Sequence, residues 1–200
     1  MKKIALTIAS TLSALALAAC GADSGSTSSA PDGDHGSHSA SSDTDSGSDH
    51  SAQDVTFAQQ MIPHHQQAIE MAEMVATKEV SPDLADLAGA IKDAQQPEID
   101  QLSEWLQAWG EDLPTSGAHA GHSSMDGMMT DEQMSALDTA TGGDFETMWI
   151  EMMIAHHEGA IAMAQLEVED GINPDAVAMA QQIIDTQQSE IDHMEAMLDD

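Results

Sequence analysis

Cysteine and basic residues are the scarcest features of this 200-residue chain. Cys20 is the only cysteine, which excludes an intramolecular disulfide. Arginine is absent, and four lysines stand against 36 acidic residues. Such an acidic surface repels phosphate backbones, so we expect no nucleic acid partner. No segment shows strand-like alternation bounded by turns, which argues against a β-sheet.

The N-terminal residues have the pattern of an export signal. "MKK" is followed by an apolar stretch, and "LAAC" ends it at Cys20. The stretch is short and closes in small residues, which predicts a signal peptide over residues 1–19 rather than a membrane-spanning helix. A cysteine after Leu-Ala-Ala looks like a bacterial lipobox, which predicts acylation of Cys20. We therefore expect an extracytoplasmic protein, anchored to the lipid bilayer at the cell surface or in the periplasm. A plain signal peptide with an incidental cysteine is the alternative.

Two stretches have too few apolar side chains to form a core. Residues 20–50 are mostly Gly, Ser and Asp, and we predict a disordered tether there because burial could not offset the entropy of ordering. The linker over residues 110–141 contains "GEDLPTSGAHAGHSSMDGMM". "TDEQ" at Thr130 follows, a capping-box pattern that predicts one short helix inside this linker.

The remaining sequence, residues 51–200, is an internal repeat of helical pattern. Shifting the chain by 92 residues aligns 54–106 with 146–198, and 19 of the 53 positions are identical. Capping residues before prolines and the helical periodicity predict helices at about 53–77, 82–109, 144–169 and 174–199. The repeat unit is a helical hairpin, over 53–109 and again over 142–199. Because one hairpin cannot bury its own apolar face, we predict an all-α four-helix bundle with approximate two-fold symmetry.

Each repeat carries the same pattern, Met-x-x-His-His. Met61 lies one turn before His64 and His65, so the three side chains can converge from a single helix. Imidazole together with thioether suits copper, and Cu(I) above Cu(II). The predicted metal ligands of the two repeats are Met61, His64, His65, Met153, His156 and His157.

Polar residues on the facing helices form a predicted outer layer around these ligands. The apolar stripes of the second and fourth long helices include Gln95, Glu98, Gln187 and Glu190, which we expect to orient the imidazoles. The alternative is that the same residues simply hydrogen-bond His65 and His157 as internal struts.

Further His and Met residues predict accessory metal sites. Met71 and Met163 lie two turns beyond the histidine pairs and could serve a second ion. The Gly-rich linker is predicted to wrap an ion flexibly with His119, His122, Met125, Met128 and Met129.

These motifs resemble those of a known family. "FAQQMIPHHQQAIEMAEM" and "MWIEMMIAHHEGAIAMAQ" are similar to the signature of the DUF305 family, over about residues 54–199. The resemblance implies a ferritin-like four-helix bundle, often secreted, and a copper-binding role like that of some members.

We therefore expect a copper-binding lipoprotein that sequesters copper or hands it over, and not an enzyme. The partners are copper ions, the bilayer, and a copper-transfer protein or a second copy of the chain. A ferritin-like di-iron oxidase or iron store is the first alternative, since "EIDH" at Glu190 has the Glu-x-x-His spacing; its repeat mate at Glu98 reads "EIDQ". A non-metal interaction bundle, with its polar layer fixing the register, is the second.

Overall fold

The computed structural model describes residues 49–114 and 125–199, and every regular element in them is a helix. The predicted signal peptide, Cys20 and nearly all of the predicted tether lie outside these residues, as do His119 and His122. The helices are α1 (Ala52–Val75), α2 (Pro82–Trp109), α3 (Asp131–Thr139), α4 (Gly142–Asp170) and α5 (Pro174–Asp199). The prediction of an all-α bundle is confirmed, and the four long helices begin and end within two residues of their predicted bounds.

Local capping signals decide where the helices start and stop. Ser51 and Asp54 form a capping box at the start of α1, and Thr130 forms another with Gln133 ahead of α3. Pro82 opens α2 behind the Ser81 cap, where its missing N–H is not needed. Gly110 ends α2 with a φ of 78°, a left-handed conformation that glycine adopts without strain.

The long helices pair as the repeat predicts. Helix α1 packs on α2 and α4 packs on α5, and the two hairpins meet where α1 crosses α4. Two contacts show that helices α1 and α4 run antiparallel. Near the end of α1 the Met71 carbonyl accepts from the indole N–H of Trp149 near the start of α4, and at the start of α1 Asp54 accepts from the backbone of Asn173, beyond the end of α4. The approximate two-fold axis therefore passes between the equivalent residues His64 and His156, whose rings touch.

The apolar core is divided into two clusters, one toward each end of the bundle. One is built around Trp149, Phe145 and Leu84, and the other around Phe57 and Leu102. Seven methionines outside the Met-x-x-His-His motifs also lie in these clusters or against them: Met74, Met134, Met148, Met152, Met179, Met194 and Met197. Polar side chains between the clusters are therefore the feature that apolar packing does not explain.

No helix in the described part of the chain has an apolar stretch long enough to cross a membrane.

Candidate metal centre

Two histidines from the two repeats meet at the centre of the molecule. His64 of α1 and His156 of α4 are completely buried, and their ring centroids are 3.8 Å apart with the planes tilted by 44°. The Nδ1 atom of His64 has no hydrogen-bond partner, and neither ring nitrogen of His156 has one of normal geometry. Buried polar atoms ordinarily have partners, so these three nitrogens are candidates for a ligand.

Burial keeps both imidazoles neutral. Loss of solvation and, after it, the nearby His65 and His157 lower the pKa of His64 to about 3, although the Asp126 carbonyl acts in the opposite direction. Loss of solvation also lowers the pKa of His156 well below its ordinary value, and the charges of the neighbouring histidines act in the same direction. A neutral imidazole has the lone pair that a metal ion needs, so the pair is in its ligating form at neutral pH.

The other two histidines of the motifs point toward the outer helices. His65 Nε2 lies 2.8 Å from a carboxylate oxygen of Glu98 on α2, and His157 Nε2 lies 2.7 Å from Glu190 on α5. Both histidines are fully buried, and the Nδ1 atom of each has no partner. These two bonds are the contacts expected both of carboxylates that orient metal-binding imidazoles and of internal struts.

The two glutamines of the predicted outer layer are buried but less engaged. Gln95 and Gln187 are 2% and 3% exposed. Neither side-chain polar atom of Gln95 has a partner, and the same holds for the oxygen of Gln187. With the four histidines they make a polar layer drawn from all four long helices, as the sequence predicts.

The methionines of the motif are buried in the apolar clusters on either side of this layer. Met61 and Met153 have no exposed surface, and they belong to different clusters. Among residues 49–114 and 125–199, no three His, Cys, Asp or Glu side chains converge as a preformed metal site. A site here therefore depends on the thioethers, or on a rearrangement of the imidazoles when the ion binds.

The end of the linker covers the histidine pair. The sequence analysis did not predict this cover. We call residues 125–129 the strap. His64 Nε2 lies 3.4 Å from the carbonyl oxygen of Asp126. The Gln67 amide donates to the Met129 carbonyl at 2.8 Å and accepts from the Met129 N–H at 2.7 Å. With the strap in this position, the His64 side chain is completely buried.

The strap approaches α4 through two glycines. A Cβ on Gly159 would lie 2.6 Å from the carbonyl carbon of Asp126, and a Cβ on Gly127 would lie 2.7 Å from the carbonyl oxygen of Ala155. Gly127 also has a φ of 82°, in the left-handed region. The signal for this contact was in the sequence, since Gly159 stands inside a helix where glycine is otherwise costly.

The accessory residues are not gathered into one site. Met71 is fully buried, Met163 packs on the opposite cluster, and Met129 is in the core. Met125 and Met128 are half-buried in the strap. Gln67 holds the backbone of Met129. His119 and His122 lie outside the described residues, so metal binding by the linker stays a prediction.

Comparison with known proteins identifies the family. Residues 54–198 match the model of DUF305, described as a domain of unknown function. This chain belongs to the DUF305 family. A DUF305 structure from Streptomyces coelicolor is 30% identical, with a TM-score of 0.67 and coverage of 73% of this chain and 91% of that one. A DUF305 fragment from Deinococcus radiodurans is 31% identical, with a TM-score of 0.65 and coverage of 74% and 96%.

A third neighbour, CopM, was solved with metals. CopM in its Cu(II)-bound form is 35% identical, with a TM-score of 0.63 and coverage of 72% of this chain and 94% of that one. Cu(I)-bound and Ag-bound forms of CopM are similar to this chain at 32% identity. No curated protein matches the chain.

Proposed function

We propose that this DUF305 protein binds copper as a cargo outside the cytoplasm and sequesters it or hands it over. The observation that carries the proposal is the His64–His156 pair, two fully buried neutral imidazoles in contact at the two-fold axis with unpartnered nitrogens. The similarity to copper-bound CopM supports the choice of metal.

The chemistry of the donors favours Cu(I) over Cu(II). In this proposal His64 and His156 are the central ligands, and Met61 and Met153 supply thioether sulfur. Neutral imidazole and thioether are soft ligands without charge, and they suit Cu(I), whereas a hard ion such as Mg²⁺ prefers carboxylate oxygen. Silver(I) has similar ligand preferences, which makes it an air-stable probe of the same site.

His65 and His157 complete the proposed ligand set. Each has an unpartnered Nδ1, while its Nε2 faces the carboxylate of Glu98 or Glu190. A carboxylate that accepts a hydrogen bond from Nε2–H fixes the tautomer whose Nδ1 is free to bind a metal, and it makes that imidazole more basic. Gln95 and Gln187 lie in the same polar layer and are proposed to orient the ligands when the ion is bound.

The localisation part of the proposal comes from the N-terminal sequence. A signal peptide over residues 1–19 and an acylated Cys20 would place the bundle outside the cytoplasm on a lipid anchor. A donor set of methionine and histidine without thiol also suits an oxidising compartment, where thiols form disulfides. We propose that the protein is not an enzyme, because holding and releasing a copper ion needs no catalytic turnover.

A non-metal bundle is the second candidate, and one specific observation favours it. The His65–Glu98 and His157–Glu190 bonds satisfy buried polar groups without any metal, so they alone could fix the register of the bundle. The di-iron alternative is less well supported. The glutamates of α1 that follow the histidine motif, Glu70 and Glu73, are exposed and do not face the polar layer. That leaves few carboxylates for two hard ions.

The test is an anaerobic Cu(I) titration against a chromophoric chelator. The protein is the chain from residue 20 with Cys20→Ser, so that no lipid is attached. We expect the wild type to remove Cu(I) from the chelator. Changing His64 and His156 together to Ala should weaken binding at least tenfold, and changing His65 and His157 together should weaken it less.

His193→Ala is the matched control, since this histidine is exposed on α5 and outside the proposed site. It should leave Cu(I) affinity unchanged. Circular dichroism checks that each variant keeps its helices. A folded His64/His156 variant that competes as well as the wild type would rule out these ligands, and a wild type that cannot compete would rule out the copper function.

A further inference from the structure

We infer that the strap, residues 125–129, is the gate of the histidine site, and that the contact between Gly127 and Gly159 is what seats it. This inference rests on the proposed function for the identity of the ion, but the cover itself can be tested without metal. Residues Gly127, Gly159 and Gln67 are positioning residues in this scheme and do not bind the ion.

The first observation is that the strap seals the histidine pair on the side away from α2 and α5. His65 and His157 face the outer helices, where they meet Glu98 and Glu190. His64 instead faces the strap, with Nε2 3.4 Å from the Asp126 carbonyl. Displacing the strap would therefore uncover the pair without separating any of the four long helices.

The second observation is that the two repeats hold the strap in different ways at equivalent positions. The 92-residue offset makes Gln67 the counterpart of Gly159. Gln67 is 3% exposed and bonds both backbone groups of Met129, whereas Gly159 has no side chain and lets the Asp126–Gly127 backbone lie directly on α4. The strap thus breaks the approximate two-fold symmetry of the bundle beside the histidine pair.

The third observation is that the two attachments differ in strength. At Met129 the strap has two hydrogen bonds of good length and a side chain in the apolar core. Two residues earlier, Gly127 brings no side chain, Asp126 is exposed, and the bond to His64 is long. Segments with few buried contacts open at low free-energy cost, so Met129 is the fixed end and residues 125–127 are the part that lifts.

The gate requires glycine at position 159 because a methyl group there would occupy the place of the Asp126 carbonyl. The added Cβ would overlap backbone atoms of Asp126 and Gly127, so rotation of a side chain cannot relieve the overlap. Gly159→Ala should push the strap off α4 and leave the helix intact, since Ala favours a helix more than Gly does.

Gly89→Ala is the matched control. Gly89 also lies inside a long helix, but a Cβ there has open space around it. Both variants replace a helical glycine by alanine and raise the helix propensity by the same amount. A difference in behaviour between them therefore comes from the contact with the strap. Gln67→Met is a second variant, which removes both bonds to Met129 and keeps the volume of the side chain.

The experiment begins with the metal-free chain from residue 20, carrying Cys20→Ser. Diethyl pyrocarbonate modification is followed by mass spectrometry on two peptides, one containing His64 and His65 and the other containing His156 and His157. We expect these peptides to be modified at least tenfold faster in Gly159→Ala and in Gln67→Met than in the wild type, with Gly89→Ala unchanged. Modification rates equal in all four folded proteins would overturn the inference.

Stopped-flow transfer of Cu(I) to and from a chelator gives the second measurement. A gate changes the rates of entry and release together, so both should rise severalfold in Gly159→Ala while the dissociation constant changes less than either rate. A change in one rate alone, with a dissociation constant changed by the same factor, would instead make the strap part of the ligand set and overturn the gate. Faster histidine modification with no Cu(I) binding by any variant would leave the cover standing and remove the proposed function.

Discussion

At the scale of single residues, the polar layer depends on two His–Glu hydrogen bonds in equivalent places. Glu98 and Glu190 are 14% and 16% exposed at the side chain, so each carboxylate is mostly removed from water while its histidine is completely so. Hydrogen bonds of this kind contribute most visibly when one partner is removed, because the other is then left buried and unsatisfied.

Removing either carboxylate should destabilise the fold by a similar amount. We expect Glu98→Ala and Glu190→Ala each to lower the free energy of unfolding by about 1–3 kcal/mol, the cost of an unsatisfied buried imidazole nitrogen. Urea unfolding followed by circular dichroism measures this. Glu70→Ala, at an exposed position on α1, is the control and should change stability by less than about 0.5 kcal/mol. Losses no larger than that of the control would contradict the strut role.

A second pair of buried groups joins α1 to the end of α4. Glu167 is completely buried, and its pKa is raised to about 8, first by burial and then by the neighbouring Asp54 carboxylate. Burial would also raise the pKa of Asp54, but the hydrogen bonds from Ser51, the neighbouring Glu167 carboxyl and the backbone of Asn173 together lower it to about 2. At neutral pH Glu167 is therefore protonated and Asp54 is charged.

This pair gives stability a pH dependence with a definite sign. The pKa of Glu167 is higher in the folded state than its ordinary 4.5, so its favourable contribution is complete below about pH 4.5 and is lost as the pH rises to about 8. Glu167→Gln keeps the shape of the side chain but cannot ionise. As the pH rises from 5 to 8, we expect the unfolding free energy of the variant to increase relative to that of the wild type by about 1–3 kcal/mol.

The measurement is urea unfolding of both proteins at several pH values, and the quantity compared is their difference in unfolding free energy. Taking the difference cancels the titration of the histidines, which both proteins share. A constant difference from pH 5 to pH 8 would show that Glu167 is ionised in the folded protein and would contradict its raised pKa. Asp54 acts in a separate window, since its contribution is lost only below about pH 3.8.

At the scale of helices, the caps of the two repeats are unequal. The Ser51 side chain accepts hydrogen bonds from the backbone of Gln53 and Asp54 at the start of α1. Thr141 occupies the corresponding place before α4 and makes no side-chain cap bond. The difference follows from the break in the repeat here, because α4 begins with Gly142 in a left-handed conformation rather than with a capping box.

The two caps provide a paired prediction. Ser51→Ala should lower the free energy of unfolding by about 1–2 kcal/mol, because it removes a helix cap and one of the bonds that keep Asp54 ionised. Thr141→Ala should change it by no more than about 0.5 kcal/mol. Thermal unfolding of both variants measures the contrast, and equal losses would mean that the cap bond at Ser51 contributes nothing specific.

At the scale of the whole molecule, charge is the dominant feature. Without residues 1–19 the chain keeps two lysines against 36 acidic residues, a formal charge near −34. Both lysines are already engaged, Lys78 with the backbone of Asp138 and Ala140, and Lys92 with Glu73. Self-repulsion of the acidic surface therefore opposes the compact state.

Salt should stabilise this protein. We expect the melting temperature to rise by several degrees between low salt and moderate salt, because the Debye length shortens from about 30 Å at 0.01 M to about 10 Å at 0.1 M. Differential scanning calorimetry in sodium chloride and in choline chloride gives the measurement. Equal rises in the two salts indicate screening, whereas a rise with sodium alone would indicate cation binding, and no rise would contradict the repulsion.

The sequence by itself determined the helices, the two hairpins and most of the polar layer. Helix bounds depend on local signals such as the Ser51 cap and Pro82, and the 92-residue repeat makes the second hairpin predictable from the first. His65 and Glu98 face each other because both lie on the apolar stripes of adjacent helices, and helical periodicity alone shows that.

Only the tertiary structure decided what covers His64 and which groups raise the pKa of Glu167. The bond between Gln67 and Met129 spans 62 residues, and the bond between Asp54 and Ile172 spans 118. Periodicity within one helix identifies the face that packs on neighbouring helices, but it cannot show that an irregular strap lies over a second face. The physical reason is that these contacts depend on the backbone path of a segment with no repeating pattern, and that path is fixed only by the assembled bundle.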